Sequence, residues 1–373
     1  MSLVATRFEA LRINNPQLDR NMTRPSEYGA LDMFARQTNE PNSIISPNLR
    51  DRAFRSIGNT VQVPVINYDG TVTVSTTRTC VIADDENTSA LYTVNFATYS
   101  VGFTMVPTLY LNNEISYDHD FARKMEKITY ALLDKLDTDA ITALSTNKSQ
   151  VFNELLYYTE SGDVIQVPWD MRTDILGDLN PMMRANDYRR TIHLLGNAGI
   201  DSIIRKLAQH GLYNDVNKRM EYDNKVIYYS NNLTNESGKF ATGYAVEEGS
   251  LGILTRVDRE ALVNGRAVGH EWGVTTLPLL DLPVGYHYYV DVGDQSSIAG
   301  DASADITCAR KEHYGFSLDV AYVVAYNDTP ASIANPIFKF EIAKSDANPA
   351  AQPVVITNSE TTPVNTKEVG AGA

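Results

Sequence analysis

Few residues of this sequence have the types and spacing that metal chemistry would require. Gly269-His270-Glu271-Trp272 begins like a zinc-protease helix, in which two histidines four residues apart bind the metal and the glutamate serves as base. Val274 stands where the second histidine would be needed. The plainer interpretation, polar surface residues, is therefore favoured, and we expect no metal site.

Other clusters of titratable residues have equally plain interpretations. Asp134, Asp137 and Asp139 could work as acids or bases only if a pocket raised the pKa of one of them, and a solvated helix face is the favoured interpretation. His287 and Asp291 would share one face of a strand, whereas Asp294 would lie on the other. Because no glycine-rich phosphate loop is present either, we expect no catalytic residue and no cofactor.

The composition is that of a globular protein that does not grip nucleic acid over its whole surface. Hydrophobic residues make up 43% and the net charge is −14, whereas phosphate binding needs clustered Lys and Arg. Two cysteines, Cys80 and Cys308, are too few for a disulfide framework. No apolar run approaches the roughly 18 residues of a membrane span, and the first residues lack the order of a signal peptide. We expect cytosolic synthesis and no membrane contact.

An extended hairpin is predicted near residue 70. Apolar and polar residues alternate over 61–66, and Asn67-Tyr68-Asp69-Gly70 then turns the chain into a second β-branched run at 71–75. An isolated two-stranded ribbon is marginally stable in water, and this one has few neighbours in the sequence to cover its apolar face. We therefore expect it to lie on another subunit. The candidate interface residues are Val61, Val63, Asn67, Tyr68, Asp69, Gly70, Val72 and Val74.

A long amphipathic helix is predicted at about 116–144, following a strand region at 91–110. Its apolar residues recur at three- and four-residue steps, and acidic residues stand at its start, where they suit the helix dipole. We expect this helix to act as a structural spine packed against the strands of 91–110 and the closing strands near the C-terminus. The core positions expected along its stripe are Phe121, Ile128, Leu132 and Leu136.

The rest of the chain reads as an arm, a mixed α/β lobe and a mobile tail. Residues 1–50 mix Arg, Asn and Pro around one short helical stretch, which is more typical of an arm than of a core. Asn180-Pro181 predicts a helix start, and a clearer helix follows at about 200–210. Strand patterns return at 306–343. The predicted fold class is therefore α+β.

This order of elements resembles the major capsid proteins of tailed bacteriophages, which share the Hong Kong 97-like fold. Segments such as Asn180–Tyr188 and Leu277–Pro283 look like pieces of the axial domain of that family. The matching parts are an N-terminal arm at 1–50, an extended hairpin called the E-loop at 51–85, a peripheral domain at 86–163 and 300–345 with its spine helix, an axial domain at 164–299, and a flexible tail at 346–373.

The resemblance implies a structural subunit of the virion that is not an enzyme. Copies would self-assemble in the host cytoplasm into hexamers and pentamers of an icosahedral head enclosing double-stranded DNA, which they would contact non-specifically. A portal, a separate scaffolding protein and decoration proteins are the implied partners. The family type member links its E-loop covalently through a lysine, but residues 55–80 contain none, so no such link is expected here.

Two other functions stay open at the level of sequence. An encapsulin-like compartment protein would share the fold and also assemble, with a cargo enzyme instead of DNA inside. A β-rich glycan-binding protein is a different class, favoured by the 21 tyrosines and by the acidity. The packaged contents would distinguish the first alternative, and a monomeric chain with glycan affinity would support the second.

Overall fold

The computed structural model describes residues 28–56, 58–66, 76, 89–110, 117–208, 221–222, 225–263, 265–267, 269–276, 282–293, 309–325 and 334–345. The helices in this part of the chain are α1 (Gly29–Asn39), α2 (Pro47–Arg55), α3 (Tyr117–Thr146), α4 (Ile175–Ala185), α5 (Ala198–Ala208) and α6 (Arg259–Val263), with a 3-10 turn at Pro107–Tyr110. None of these helices combines the length and the apolar character that crossing a lipid bilayer requires.

The strands are distributed along the whole chain between these helices. They are β1 (Thr60–Ile66), β2 (Ser89–Asn95), β3 (Ala97–Met105), β4 (Thr159–Glu160), β5 (Ile165–Val167), β6 (Ile192–Gly196), β7 (Glu221–Tyr222), β8 (Lys225–Tyr229), β9 (Lys239–Glu247), β10 (Leu251–Arg256), β11 (Arg266–Ala267), β12 (His270–Thr276), β13 (Pro283–Gly293), β14 (Ala309–Val324) and β15 (Ile337–Ala343). The mixture of helices and sheets confirms the predicted α+β class.

Two large sheets organise the described residues. The first has the strand order β10-β14-β13-β12-β11, with β3 also paired to β14. All of its strand pairs are antiparallel, and the long strand β14 is its central element. The second has the order β4-β5-β15-β9-β6-β8-β7 and includes two parallel pairs, β5 with β15 and β6 with β8. Helices α4 and α5 pack their apolar residues into the core of this second sheet.

The long helix α3 lies against the first sheet, as its periodicity predicts. It spans 30 residues, which is about 45 Å at 1.5 Å per residue. Phe121, Leu132 and Leu136 are at most 2% exposed, and Ile128 is half-buried against the same core. Rings from β3 and β14 meet the start of the helix: the rings of Phe103 and Phe121 are 5.2 Å apart. The long helix therefore packs against β3 and β14.

Residues 28–50 correct the predicted arm. Helix α1 belongs to the same core as α3, since Ala30, Met33 and Phe34 are fully buried there. The side chains of Gln37 and Thr38 accept hydrogen bonds from backbone amides of β10, at 3.0 and 2.7 Å. The Arg- and Asn-rich composition suggested an arm, but one apolar stripe was enough to bury the helix. Residues 1–27 lie outside the described part of the chain.

The sheet assignments also differ from the predicted lobes in two places. Strands β10 to β13 fall within the predicted axial segment 164–299, yet they complete the first sheet beside β3 and β14. Strand β15, predicted to close the peripheral lobe, pairs instead with β5 and β9 in the second sheet. The strand pattern identified the elements but did not specify which sheet each of them joins.

Helix α4 begins earlier than the Asn180-Pro181 signature predicted. Its first residue is Ile175, and Pro181 lies inside it. The preceding turn is helical because Ile175, Leu176 and Leu179 are at most 2% exposed in the second core. Apolar burial therefore outweighs the hydrogen bond that a proline removes from a helix interior.

Candidate functional site

The candidate interface strand β1 pairs with a partner that the local turn signal did not identify. Its register with β2 runs from Thr60 opposite Asn95 to Ile66 opposite Ser89. The predicted partner was the run at 71–75, and the predicted hairpin ended at residue 85. A turn signal marks a reversal of the chain but does not specify which strands pair. Asn67, Tyr68, Asp69, Gly70, Val72 and Val74 lie outside the described residues.

The base of this β1–β2 hairpin is packed on its own chain. Val61 and Val63 are 5% and 1% exposed, and they form a small apolar cluster with residues from α2, β2, β10 and β14. The prediction that these two valines lack a local core, and are therefore free to contact another subunit, is wrong. The covering residues are Ile45, Leu49, Ala53, Val94, Phe96, Leu254, Ala321 and Val323.

The opposite face of the hairpin is open. Gln62 and Pro64 on β1 are exposed, as are Leu91 and Thr93 on β2. Leu91 stands directly opposite Pro64 and is 63% exposed, which is high for a large apolar side chain. Sequence reasoning missed Leu91 because it assigned that strand to the sheet beneath the long helix.

A charged groove of about 850 Å³ adjoins the base of the hairpin. Its walls include Asp51 and Arg55 from α2, Asp258 and Arg259 at the start of α6, and Asp319 from β14. Three acidic and three basic side chains line it, so the groove has no dominant charge that would select an anion or a cation. Its importance is positional, because it lies where the hairpin meets the first sheet.

The histidines considered for chemistry form a stacked wall on the first sheet. The Trp272 and His287 rings are 5.0 Å apart and nearly parallel, and Nδ1 of His270 lies 3.0 Å from Nε2 of His287. The wall continues through Tyr289 to His313, and the centres of these two rings are 4.4 Å apart. Burial, and secondarily the charge of His270, lowers the pKa of His287. The sequence carried the signal for this wall, namely rings at every second residue of β12 and β13.

The wall is not arranged as a metal centre. Within the described ranges, no three His, Cys, Asp or Glu side chains are grouped so that they could hold a metal ion. Nδ1 of His270 and Nε2 of His287 contact each other, and Nδ1 of His313 contacts the hydroxyl of Thr104 at 3.0 Å. Asp294, which was considered together with His287, lies outside the described residues.

The three aspartates of α3 point in different directions and do not form a catalytic pair. Asp137 is fully buried and accepts hydrogen bonds from the Leu31 amide at 3.0 Å and the Ser230 hydroxyl at 2.5 Å. Burial raises its pKa, while these hydrogen bonds oppose that rise. Asp139 accepts a hydrogen bond from the Tyr99 hydroxyl, whereas Asp134 is exposed. Asp137 thus joins α1 to α3 and is structural.

Comparison with known proteins gives similarity at the level of solved structures only. No family model matches the chain, and no curated protein matches it. A structure from Mycobacterium phage Che8 has 12% identity and a TM-score of 0.45, with 80% of this chain and 89% of that chain covered. The capsid structure of the cyanophage P-SCSP1u has 9% identity and a TM-score of 0.43, with 78% and 85% covered.

An encapsulin is among the similar structures as well. The holo-SrpI encapsulin complex from Synechococcus elongatus has 10% identity and a TM-score of 0.44, with 82% of this chain and 90% of that chain covered. The chain is thus similar in structure to proteins from phages, one of them described as a capsid, and to an encapsulin.

Proposed function

We propose that this chain is the structural subunit of an icosahedral phage head with a Hong Kong 97-like plan, and not an enzyme. Copies self-assemble into hexamers and pentamers that enclose double-stranded DNA. The subunit works through contacts between copies, which individually are weak and act together because they are repeated by symmetry. A portal, a separate scaffolding protein and decoration proteins are the proposed further partners.

The observation that carries this proposal is the hairpin of β1 and β2. Among the described strands it pairs with neither large sheet, and its register runs from Thr60 opposite Asn95 to Ile66 opposite Ser89. Only one face of its base is covered, and Leu91 on the other face is exposed. Among the described strands, neither β1 nor β2 has a second hydrogen-bonded neighbour, and such strands with an exposed apolar residue favour contact with another chain.

The long helix α3 and the net charge also fit the role of a shell subunit. Helix α3 is continuous over 30 residues and is supported by β3, β14 and α1, so it stiffens the part of the molecule from which the hairpin projects. The net charge of −14 fits a lining that lies near packaged DNA and contacts it at few points, without gripping it.

The purified protein is expected to form closed particles of megadalton size. Negative-stain microscopy together with light scattering would measure their shape and mass, starting from the 41.3 kDa chain. The nucleic-acid and protein content of particles isolated from cells separates a phage head from an encapsulin-like compartment. A protein that stays monomeric at high concentration, with or without a scaffolding partner, would contradict the proposal.

Leu91→Asp is expected to block particle closure while leaving the subunit folded. A charge on the outer face of the hairpin would be desolvated if that face contacts a neighbour, whereas an exposed substitution changes subunit stability by only about 0.5 kcal/mol. Circular dichroism and thermal melting measure folding, and microscopy counts closed shells. Leu91→Met is the matched control and should assemble normally. Equal yields of shells from both variants would remove Leu91 from the interface.

A further inference from the structure

One buried arginine contacts the residues at both ends of the hairpin, where the hairpin meets the first sheet. Arg256 is the last residue of β10 and is 7% exposed. Its Nε donates to Asp319 on the neighbouring strand β14 at 2.7 Å, and its Nη2 donates to the side chain of Asn59 at 2.9 Å. Its Nη1 donates to the Ser56 hydroxyl at 3.2 Å and to the Gly58 carbonyl.

The residues that Arg256 contacts are those through which the chain enters and leaves the hairpin. Ser56, Gly58 and Asn59 lead into β1, and Phe96 directly follows β2. The guanidinium carbon lies 4.4 Å from the centre of the Phe96 ring, while the Phe96 amide donates to the Asn59 carbonyl at 2.8 Å. One side chain therefore touches both legs of the hairpin.

Asp319, the ion-pair partner of Arg256, is fixed in the middle of the first sheet. Asp319 stands opposite Arg256 on one side and opposite Thr98 on the other. Its second carboxylate oxygen accepts a hydrogen bond from the Thr98 hydroxyl at 2.6 Å. With both oxygens engaged, Asp319 holds the guanidinium in one orientation relative to β3, β10 and β14.

Apolar packing alone would not define the direction of the hairpin. The cluster around Val61 and Val63 holds the base of the hairpin against the chain, but apolar contact is non-directional and tolerates small rotations. A guanidinium is a rigid planar fork whose donors point in fixed directions, so its hydrogen bonds specify an angle as well as a position. Lysine would keep the charge opposite Asp319 and lose the fork.

We propose that Arg256 is a positioning residue that sets the angle at which the hairpin leaves the subunit, and thereby the curvature at which subunits close. The effect of Arg256 on shell curvature rests on the proposed function. Its effect on the hairpin angle concerns the subunit itself. The two effects can therefore be tested separately.

The test compares Arg256→Lys with wild type in hydrogen exchange and in assembly. The Phe96 amide and the β1–β2 ladder are expected to exchange roughly tenfold faster or more in the variant, since the hairpin base opens more often without the fork. The second sheet should exchange at the wild-type rate. Microscopy should show open or irregular particles where wild type gives closed shells of uniform size.

Two further variants keep the test decisive. Arg266→Lys is the matched control, because Arg266 pairs with Glu271 at 3.1 Å and contacts neither leg of the hairpin. It should behave as wild type in both assays. If Arg256→Lys fails to fold, Asn59→Ala removes one acceptor and leaves the ion pair with Asp319, and it should give a smaller acceleration of exchange at the same amides.

The outcomes separate this inference from the proposed function. A wild-type protein that forms no shells refutes the proposed function, while faster exchange in Arg256→Lys would still support control of the hairpin by Arg256. Unchanged exchange overturns the positioning role. Faster exchange with closed shells of wild-type size overturns the link between the hairpin angle and closure.

Discussion

Leu132→Ala is expected to lower the free energy of unfolding by about 2 to 5 kcal/mol, as large-to-small substitutions in cores do. Leu132 is 2% exposed and lies midway along α3, in the core shared with α1, β3 and β14. Truncation leaves a cavity beneath a rigid helix that cannot collapse to fill it. The variant should fail at folding, giving insoluble protein, before it fails at assembly. Chemical denaturation of any soluble fraction measures the loss.

The matched control for this prediction is Lys127→Ala on the same helix. Lys127 is exposed, and exposed substitutions usually change stability by less than about 0.5 kcal/mol. Lys124 is less suitable, although it is also on the polar side, because its ammonium pairs with Asp120 at 3.0 Å and donates to the Thr104 carbonyl at 3.1 Å. Soluble Leu132→Ala protein with unchanged melting and normal shells would show that the stripe is not core.

Acidification from pH 6.5 to pH 4 is expected to destabilise the subunit by about 3 kcal/mol through His193 alone. This side chain is 4% exposed on β6, and its Nδ1 lies 3.0 Å from the Tyr228 hydroxyl. Burial lowers its pKa to about 4; the charge of Glu248 opposes this shift and that of Arg36 adds to it. Protonation would place a positive charge in a buried site on one face of the second sheet, where burial outweighs the attraction of Glu248.

The direction of this pH effect on stability depends on whether the folded or the unfolded state binds more protons. The histidine in the unfolded chain titrates near its usual pKa of 6.5, whereas the folded one resists protonation until about pH 4. Between pH 6.5 and about pH 4 the unfolded chain binds more protons than the folded one. The contribution of neutral His193 to the free energy of unfolding is therefore fully present above pH 6.5 and decreases as the pH falls toward about 4. His193→Gln removes this titration. The stability difference between the variant and wild type should therefore change across this interval.

Denaturant unfolding of both proteins at several pH values would measure this change. Other titrating groups, including His287 and Asp137, are present in both proteins and largely cancel in the comparison. A difference that stays constant from pH 7 to about pH 4 would mean that His193 titrates normally in the folded state. The predicted contribution to acid lability would then be wrong.

The elements that could be predicted from the sequence are those whose signal is local. Helix α3 is the best case, because the stripe through Phe121, Leu132 and Leu136 is periodic within one segment, and the observed bounds, Tyr117–Thr146, nearly match the prediction. Helix α5 was likewise visible in its own periodicity. Strand β1 coincides with the first strand of the predicted hairpin, whereas its partner β2 was not identified, and residues 67–75 lie outside the described part of the chain.

The pairing of strands that are distant in the sequence could not be predicted from local patterns. Strands β10 and β15 both look like buried strands, and no local pattern tells which of two sheets will accept each of them. The same limit applies to Arg256, which meets Ser56 from 200 residues away in the sequence. An arginine at the end of a strand is unremarkable until the fold brings acceptors to all sides of its guanidinium.

The position of β15 has a consequence for the synthesis of the protein. This strand, Ile337–Ala343, lies in the interior of the second sheet, with β5 along one edge and β9 along the other. Its Phe338, Phe340 and Ile342 side chains are fully buried, so the second core has a gap until these residues have left the ribosome. A chain that terminates early therefore cannot complete this sheet. Translation through β15 therefore acts as a checkpoint, and chains that end before this strand are kept out of any assembly that requires the finished fold.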